Sequence, residues 1–178
     1  MIVLLFVVSA FTYSIELELK LGLDVYRELS VDATGHKPTG IYPGGSVGME
    51  ALVSEKNPFR YGLGMVWHNS ANGKSGYEGH STSPLYIVGK YKVKDDVYFI
   101  GRAGWAFAKA GDATNVKGAD GGLYGAFGVG KEFMENKMNL ELLYEIMEYE
   151  YNTTFATEED GYYQIFSIVF SYKLWATR

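Results

Sequence analysis

The chain contains no cysteine, only four prolines in 178 residues, and no surplus of positive charge. The missing cysteines exclude a disulfide scaffold and any Cys-ligated zinc or iron–sulfur centre. A net charge of -5 speaks against a nucleic-acid partner, which selects a basic surface. Beyond the first eleven residues no apolar run approaches the ~20 residues of a transmembrane helix. What is abundant is an unusual pair: 22 glycines together with 15 tyrosines and 10 phenylalanines. A hydrophobic content of 47% argues against disorder, and the length suits one domain or at most two small ones.

Residues 1–11 read MIVLLFVVSAF without a charge. The run has the length of a secretory-signal core, and Thr12-Tyr13-Ser14 places small residues at the -3 and -1 positions. No positive n-region precedes it, so the start is atypical. The sequence therefore predicts an export signal over 1–14 and a single domain over 15–178; the competing reading is a buried first strand.

After residue 14 the dominant period is two. Ile15, Leu17, Leu19, Leu21 and Leu23 alternate with Glu16, Glu18, Lys20, Gly22 and Asp24. That is a strand with one apolar and one polar face. Similar alternation recurs around Val47–Val53, Phe59–Trp67, Leu85–Tyr91, Val97–Phe107, Leu123–Val129, Leu140–Ile146 and Phe166–Leu174. The phase slips near Met147 and Glu148, which predicts a bulge there. About eight strands of roughly ten residues result, a length that crosses a bilayer at a tilt. Between them, long polar stretches (30–44, 69–82, 108–122, 152–161) alternate with tight turns at 54–58, 94–96 and 134–137. All long connections then fall at one end, as in transmembrane β-barrels with short periplasmic turns and long outer loops. The fold class read here is all-β, an eight-stranded antiparallel up-and-down transmembrane β-barrel.

Alternation alone does not say which face is inside, and a soluble, lipocalin-like ligand carrier would turn the aliphatic set inward. The glycines favour the opposite sense. Gly22, Gly48, Gly62, Gly64, Gly104, Gly128 and Gly130 share the polar face, where they leave room for large side chains inside a narrow barrel. Aromatics collect near strand ends, with Phe59, Tyr91, Tyr98, Phe133, Tyr172 and Trp175 by the short turns. Tyr26, Trp67, Trp105, Phe107, Tyr149, Tyr151, Tyr162 and Tyr163 lie toward the long loops. Two such bands read as interfacial girdles, with Tyr26, Phe59, Trp67, Tyr91, Trp105, Tyr149, Tyr172 and Trp175 as their principal members.

The strand Ser83-Pro-Leu-Tyr-Ile-Val-Gly-Lys-Tyr-Lys-Val93, followed by Val97-Tyr-Phe-Ile-Gly-Arg-Ala-Gly-Trp-Ala-Phe107, resembles the central strand pair of small bacterial outer-membrane barrels. These include the OmpX/Ail, opacity-protein and OmpA-barrel types. Phe170-Ser-Tyr172-Lys-Leu174-Trp175 is similar to their C-terminal recognition strand, although Ala176-Thr177-Arg178 follow and Val169 stands where glycine is usual. The resemblance implies residence in a bacterial outer membrane and contact with its lipid and lipopolysaccharide. It also implies insertion by the β-barrel assembly machinery and, through the outer loops, contact with a host or surface ligand. A monomer is expected, with no nucleic acid and no cofactor. The function read here is non-enzymatic, either surface interaction and adhesion or an envelope-structural role; a small-solute porin is an alternative.

With the polar face inward, Glu16, Glu18, Lys20, Asp24, Glu50, Arg60, Lys90, Arg102, Glu141 and Glu145 meet in the lumen. Eight strands enclose just enough space for side chains, and buried charges must be paired. A salt-bridge network is therefore expected, with each arginine meeting two carboxylates; a gated ion path is the sharper alternative. His68-Asn69-Ser70 is similar to the His-x-Ser motif of outer-membrane lipid A 3-O-deacylases, which implies His68 as base and Ser70 as nucleophile. Glu78 or Glu55 would then orient the base, but that family's motif lies near the C-terminus, whereas here five strands follow. His36, His68 and His80 lack a metal-ligand spacing, so no metal site is expected. Gly121-Gly122-Leu-Tyr-Gly125-Ala-Phe-Gly128-Val-Gly130 is glycine for packing and no phosphate loop. The acidic run Glu158-Glu159-Asp160, with Glu148 and Glu150, could attract divalent cations that bridge lipopolysaccharide.

Overall fold

The structure, a computed structural model, describes residues 14–31, 39–54, 58–69, 81–109, 116–153 and 159–176. Among them every regular element is a strand: β1 (Ser14–Val31), β2 (Thr39–Ile41), β3 (Gly44–Ser54), β4 (Phe59–His68), β5 (Ser81–Lys92), β6 (Val97–Lys109), β7 (Val116–Phe133), β8 (Met138–Thr153) and β9 (Glu159–Ala176). β1 pairs antiparallel with both β2 and β3, each strand from β3 to β8 pairs antiparallel with the next, and β1 closes on β9. The short β2 pairs Ile41 with Arg27, and β3 pairs Gly44 with Asp24, so both continue one register on β1. They are two halves of the second barrel strand, interrupted at Tyr42 and Pro43, where proline has no N–H for a ladder. The result is a closed, eight-stranded up-and-down barrel.

The alternation of the sequence becomes two surfaces. Outward stand Leu21, Leu23, Leu63, Met65, Leu85, Ile87, Phe99, Leu123, Phe127, Ile168 and Phe170. Inward stand Glu18, Lys20, Glu50, Lys90, Arg102, Glu141 and Glu145. A water-soluble barrel would have the reverse arrangement; this one is built to face lipid. Several inward glycines make the packing possible. A Cβ at Gly64 would enter the Tyr86 ring, and one at Gly130 would enter the Tyr98 ring.

Strand length divides the barrel further. The ten residues of β4 span about 33 Å, which tilted matches the ~25 Å apolar band of a membrane barrel. The 18 residues of β1, β7 and β9 run to about 60 Å and continue beyond that band at the loop end. Parts of the polar stretches 30–44, 108–122 and 152–161 are therefore ladder, in β1, β2, β7, β8 and β9. Sequence alternation misses these extensions because their outer face meets water, and the apolar half of the pattern disappears. At the other end lie the bend 93–96 and the turn 134–137. In the latter Met134, Glu135 and Asn136 all have positive φ.

The bulges differ from the expected one. β8 keeps its phase through Met147 and Tyr149, both buried. The register shifts instead between Gly121 and Tyr124 in β7, and between Asp24 and Tyr26 in β1. Val25 and Tyr26 consequently both face out, and Arg27 turns in. Met147 suggests a slip only because the inner face becomes apolar at this height.

Candidate functional site

The lumen is the place where chemistry-bearing side chains converge, and it is filled in three tiers. In the middle tier Lys20 from β1, Lys90 from β5 and Arg102 from β6 face Glu18, Glu50 and Glu141. Lys20 Nζ lies 2.9 Å from Glu141 and 3.1 Å from Glu50. Lys90 Nζ lies 2.7 Å from Glu18 and 3.0 Å from both Glu50 and Glu141. Arg102 Nη2 bridges Glu50 at 2.8 Å and Glu141 at 2.9 Å. Three tyrosine and asparagine groups supply the remaining donors: Tyr86 to Glu50 (3.1 Å), Tyr98 to Glu141 (2.8 Å) and Asn139 to Glu18 (3.0 Å). The three carboxylates approach within 4.8 Å, close enough for a metal ion. Lys20, Lys90 and Arg102 already neutralise them, so the cluster has no charge left for one.

Toward the loops a second tier surrounds His68. Its Nδ1 is 3.0 Å from Asp24, and its Nε2 is 3.7 Å from Glu145. Ser167 Oγ sits 2.9 Å from Asp24 and 3.0 Å from Glu145, and Tyr124 donates to Glu145 at 2.7 Å. Arg27 pairs with Asp24 and donates to the Asn69 carbonyl at 3.0 Å and to its side-chain oxygen at 3.1 Å. Leu29, Ile41, Met147, Tyr149, Tyr163 and Ile165 then form a buried apolar layer inside the loop end. At the turn end, Arg60 pairs with Glu16 (3.4 Å) and Glu132, Lys92 with Glu132 (2.7 Å) and Lys173 with Glu16 (3.0 Å). Arg60 and Lys90 lie on the Tyr98 ring, each 5.4 Å from its centroid, so Tyr98 separates this tier from the middle one.

All nine residues read as the lumen network (Glu16, Glu18, Lys20, Glu50, Arg60, Lys90, Arg102, Glu141 and Glu145) are buried inside the barrel. Asp24 joins them there, and Arg60 and Arg102 each contact two carboxylates. Of the girdle residues, Tyr26, Phe59, Trp67, Tyr91, Trp105, Tyr172 and Trp175 are exposed on the outer wall. Tyr149 is not: at 3% exposure it points inward, as do Tyr98 and Tyr163. The reason is phase, since each shares a face with an inward polar residue on its own strand, Arg102, Glu145 or Ser167. Tyr151 lies outside the residues whose side chains are described.

His68 is 1% exposed and enclosed by Asp24 and Glu145, not set at an interface beside a loop. Ser70, Glu55 and Glu78, with His36 and His80, lie outside the described residues, as do residues 1–13 and Glu158. The loop 69–82 falls largely outside them, and 30–44, 108–122 and 152–161 partly so. Sequence reasoning also missed Arg27, Glu132 and the three inward tyrosine hydroxyls. The signal for Tyr86, Tyr98 and Tyr124 was present in their phase, each four residues before Lys90, Arg102 or Gly128. The signal for Arg27 was hidden by the bulge before it.

No family model matches the sequence, and neither does any curated protein. Solved structures do. The chain is similar to Ail, the attachment invasion locus protein of Yersinia pestis, with a TM-score of 0.54 at 11% identity over 91% of this chain and 99% of that one. It is similar to Neisserial surface protein A, with a TM-score of 0.56 at 11% identity over 90% and 97% of the two chains. OprG from Pseudomonas aeruginosa gives 0.51 at 11% identity over 92% and 96%. At such identity the likeness concerns the fold, and it agrees with the lipid-facing exterior and charged interior. The chain is a closed, eight-stranded antiparallel up-and-down β-barrel, and it shares that fold with these three outer-membrane proteins.

Proposed function

We propose that this protein is a non-enzymatic barrel of a bacterial outer membrane, a rigid and plugged platform that carries surface loops rather than a conduit. The carrying observation is the middle tier, where Lys20, Lys90 and Arg102 tie Glu18, Glu50 and Glu141 across the lumen from different strands. An ion would have to break several desolvated pairs at once, and breaking even one buried pair costs about 3–5 kcal/mol. The connections at the loop end then contact a host or surface ligand, or support the envelope by holding lipopolysaccharide. The name of one similar barrel, an attachment and invasion protein, favours the contact role. On this reading residues 1–14 are an export signal, the assembly machinery inserts the domain, and the barrel works as a monomer.

The refolded protein in planar bilayers tests the central point. We expect no unitary conductance steps at moderate voltage. Reproducible steps of one size would replace the plugged platform with a small-solute pore.

A further inference from the structure

The three tiers of the lumen differ in charge balance. The middle tier sets three cations against three carboxylates. Beside His68, Asp24 and Glu145 meet Arg27 and the imidazole, so cations never exceed acids there. The turn-end tier alone has a surplus, with Arg60, Lys92 and Lys173 sharing only Glu16 and Glu132. Each lysine ammonium carries three N–H donors and a guanidinium five, more than two carboxylates accept.

That surplus surrounds an empty space. Arg60, Lys92, Lys173, Glu16, Glu132 and Asn136 line a cavity of about 140 Å³. Arg60 and Glu132 are buried, whereas Lys92 is 29% exposed and Lys173 is 15% exposed. The cavity is therefore a vestibule, open at the turn end and closed inward by the Tyr98 ring under Arg60. Its three cations arrive from β4, β5 and β9, converging from three directions. A planar carboxylate matches two of them at a time, as Glu16 and Glu132 do. A tetrahedral oxyanion offers an oxygen to each, and the space admits one such group with water. Asn136 adds a carboxamide at the rim, presented by a turn with three successive positive-φ residues. The neighbouring exposed charges, Lys94, Asp95, Asp96, Lys131, Glu135 and Lys137, are of both signs and lie outside the cavity lining.

We propose that the turn-end vestibule formed by Arg60, Lys92 and Lys173 binds a phosphate group. Its source is either free inorganic phosphate or the headgroup of a lipid in the adjacent leaflet. The site is independent of whatever the loops contact, because the middle tier separates the two ends.

The full chain, refolded in uncharged maltoside micelles, is titrated with inorganic phosphate by calorimetry and amide NMR. The expected result is one saturable site whose resonance shifts centre on Lys92, Asn136 and Lys173. Lys92→Ala and Lys173→Ala should each weaken it about tenfold, in line with the loss of one charge-assisted bond, and Lys92→Arg should retain it. Both lysines are partly exposed, so the variants should keep the gel migration of the folded barrel. Repeating the titration in phosphatidylglycerol nanodiscs separates the sources: an unchanged affinity assigns free phosphate, and competition assigns the lipid headgroup. Absence of saturable binding in micelles, or equal affinity in the folded double variant Lys92→Ala/Lys173→Ala, overturns the proposal.

Discussion

At the scale of single residues, glycine has two opposite meanings in this barrel. Gly130 faces inward beneath the Tyr98 ring, whose hydroxyl donates to Glu141 at 2.8 Å. Any side chain there must displace a ring that holds the middle tier together. Gly101 faces outward, and a Cβ at that position would meet nothing within 4 Å. Gly130→Ala should therefore destabilise the folded barrel by roughly 1–3 kcal/mol, the usual cost of overpacking. Gly101→Ala should leave stability unchanged or raise it by about 0.4–1 kcal/mol through the unfolded chain. Urea titration of the refolded protein in phospholipid vesicles measures both. Equal losses in the two variants would refute the division of the glycines by face.

At the scale of the element, the position of a bulge decides which charges enter the lumen. In β1 the extra residue falls between Asp24 and Tyr26. Val25 and Tyr26 both point outward, and Arg27 reaches Asp24 and Asn69. In β8 no slip occurs, and Tyr149 packs against Tyr163 with ring centroids 6.0 Å apart. The chain has no native cysteine, so single-cysteine labelling reports each face without background. Val25→Cys and Tyr26→Cys should both react with an outward-accessible maleimide, an adjacent pair that regular alternation forbids. Tyr149→Cys should stay inert while Tyr162→Cys, one strand away, reacts. Rapid labelling at 149 would restore the slip to β8.

At the scale of the whole molecule, closure of β9 on β1 removes every edge from the membrane band, which is the condition for a sheet to cross lipid. It also puts the strand ends Val31, His68, Ser81, Lys109, Val116, Thr153 and Glu159 at one end, with Ser54, Phe59, 93–96, 134–137 and both ends of the described sheet at the other. Cells expressing Gly73→Cys or Thr114→Cys should label with an impermeant maleimide while intact. Asp95→Cys and Glu135→Cys should label only after the outer membrane is permeabilised. The opposite pattern would invert the orientation, moving the phosphate vestibule to the cell surface and the long connections inside.

The sequence by itself determined the fold class, the facing of the two surfaces and the identity of most of the lumen charges. All three are local consequences of a period of two: once one strand turns its acids inward, every in-phase residue on it must follow. Glu18, Lys20, Glu50, Lys90 and Glu141 are legible for that reason. The tertiary structure alone decided where the period breaks and how charges from different strands combine. A one-residue bulge reverses the faces beyond it, and nothing in the composition around Val25 marks the spot. The imbalance at the turn end is likewise invisible in one dimension. Glu16, Arg60, Lys92, Glu132 and Lys173 come from five strands, and only barrel closure adds their charges in one place.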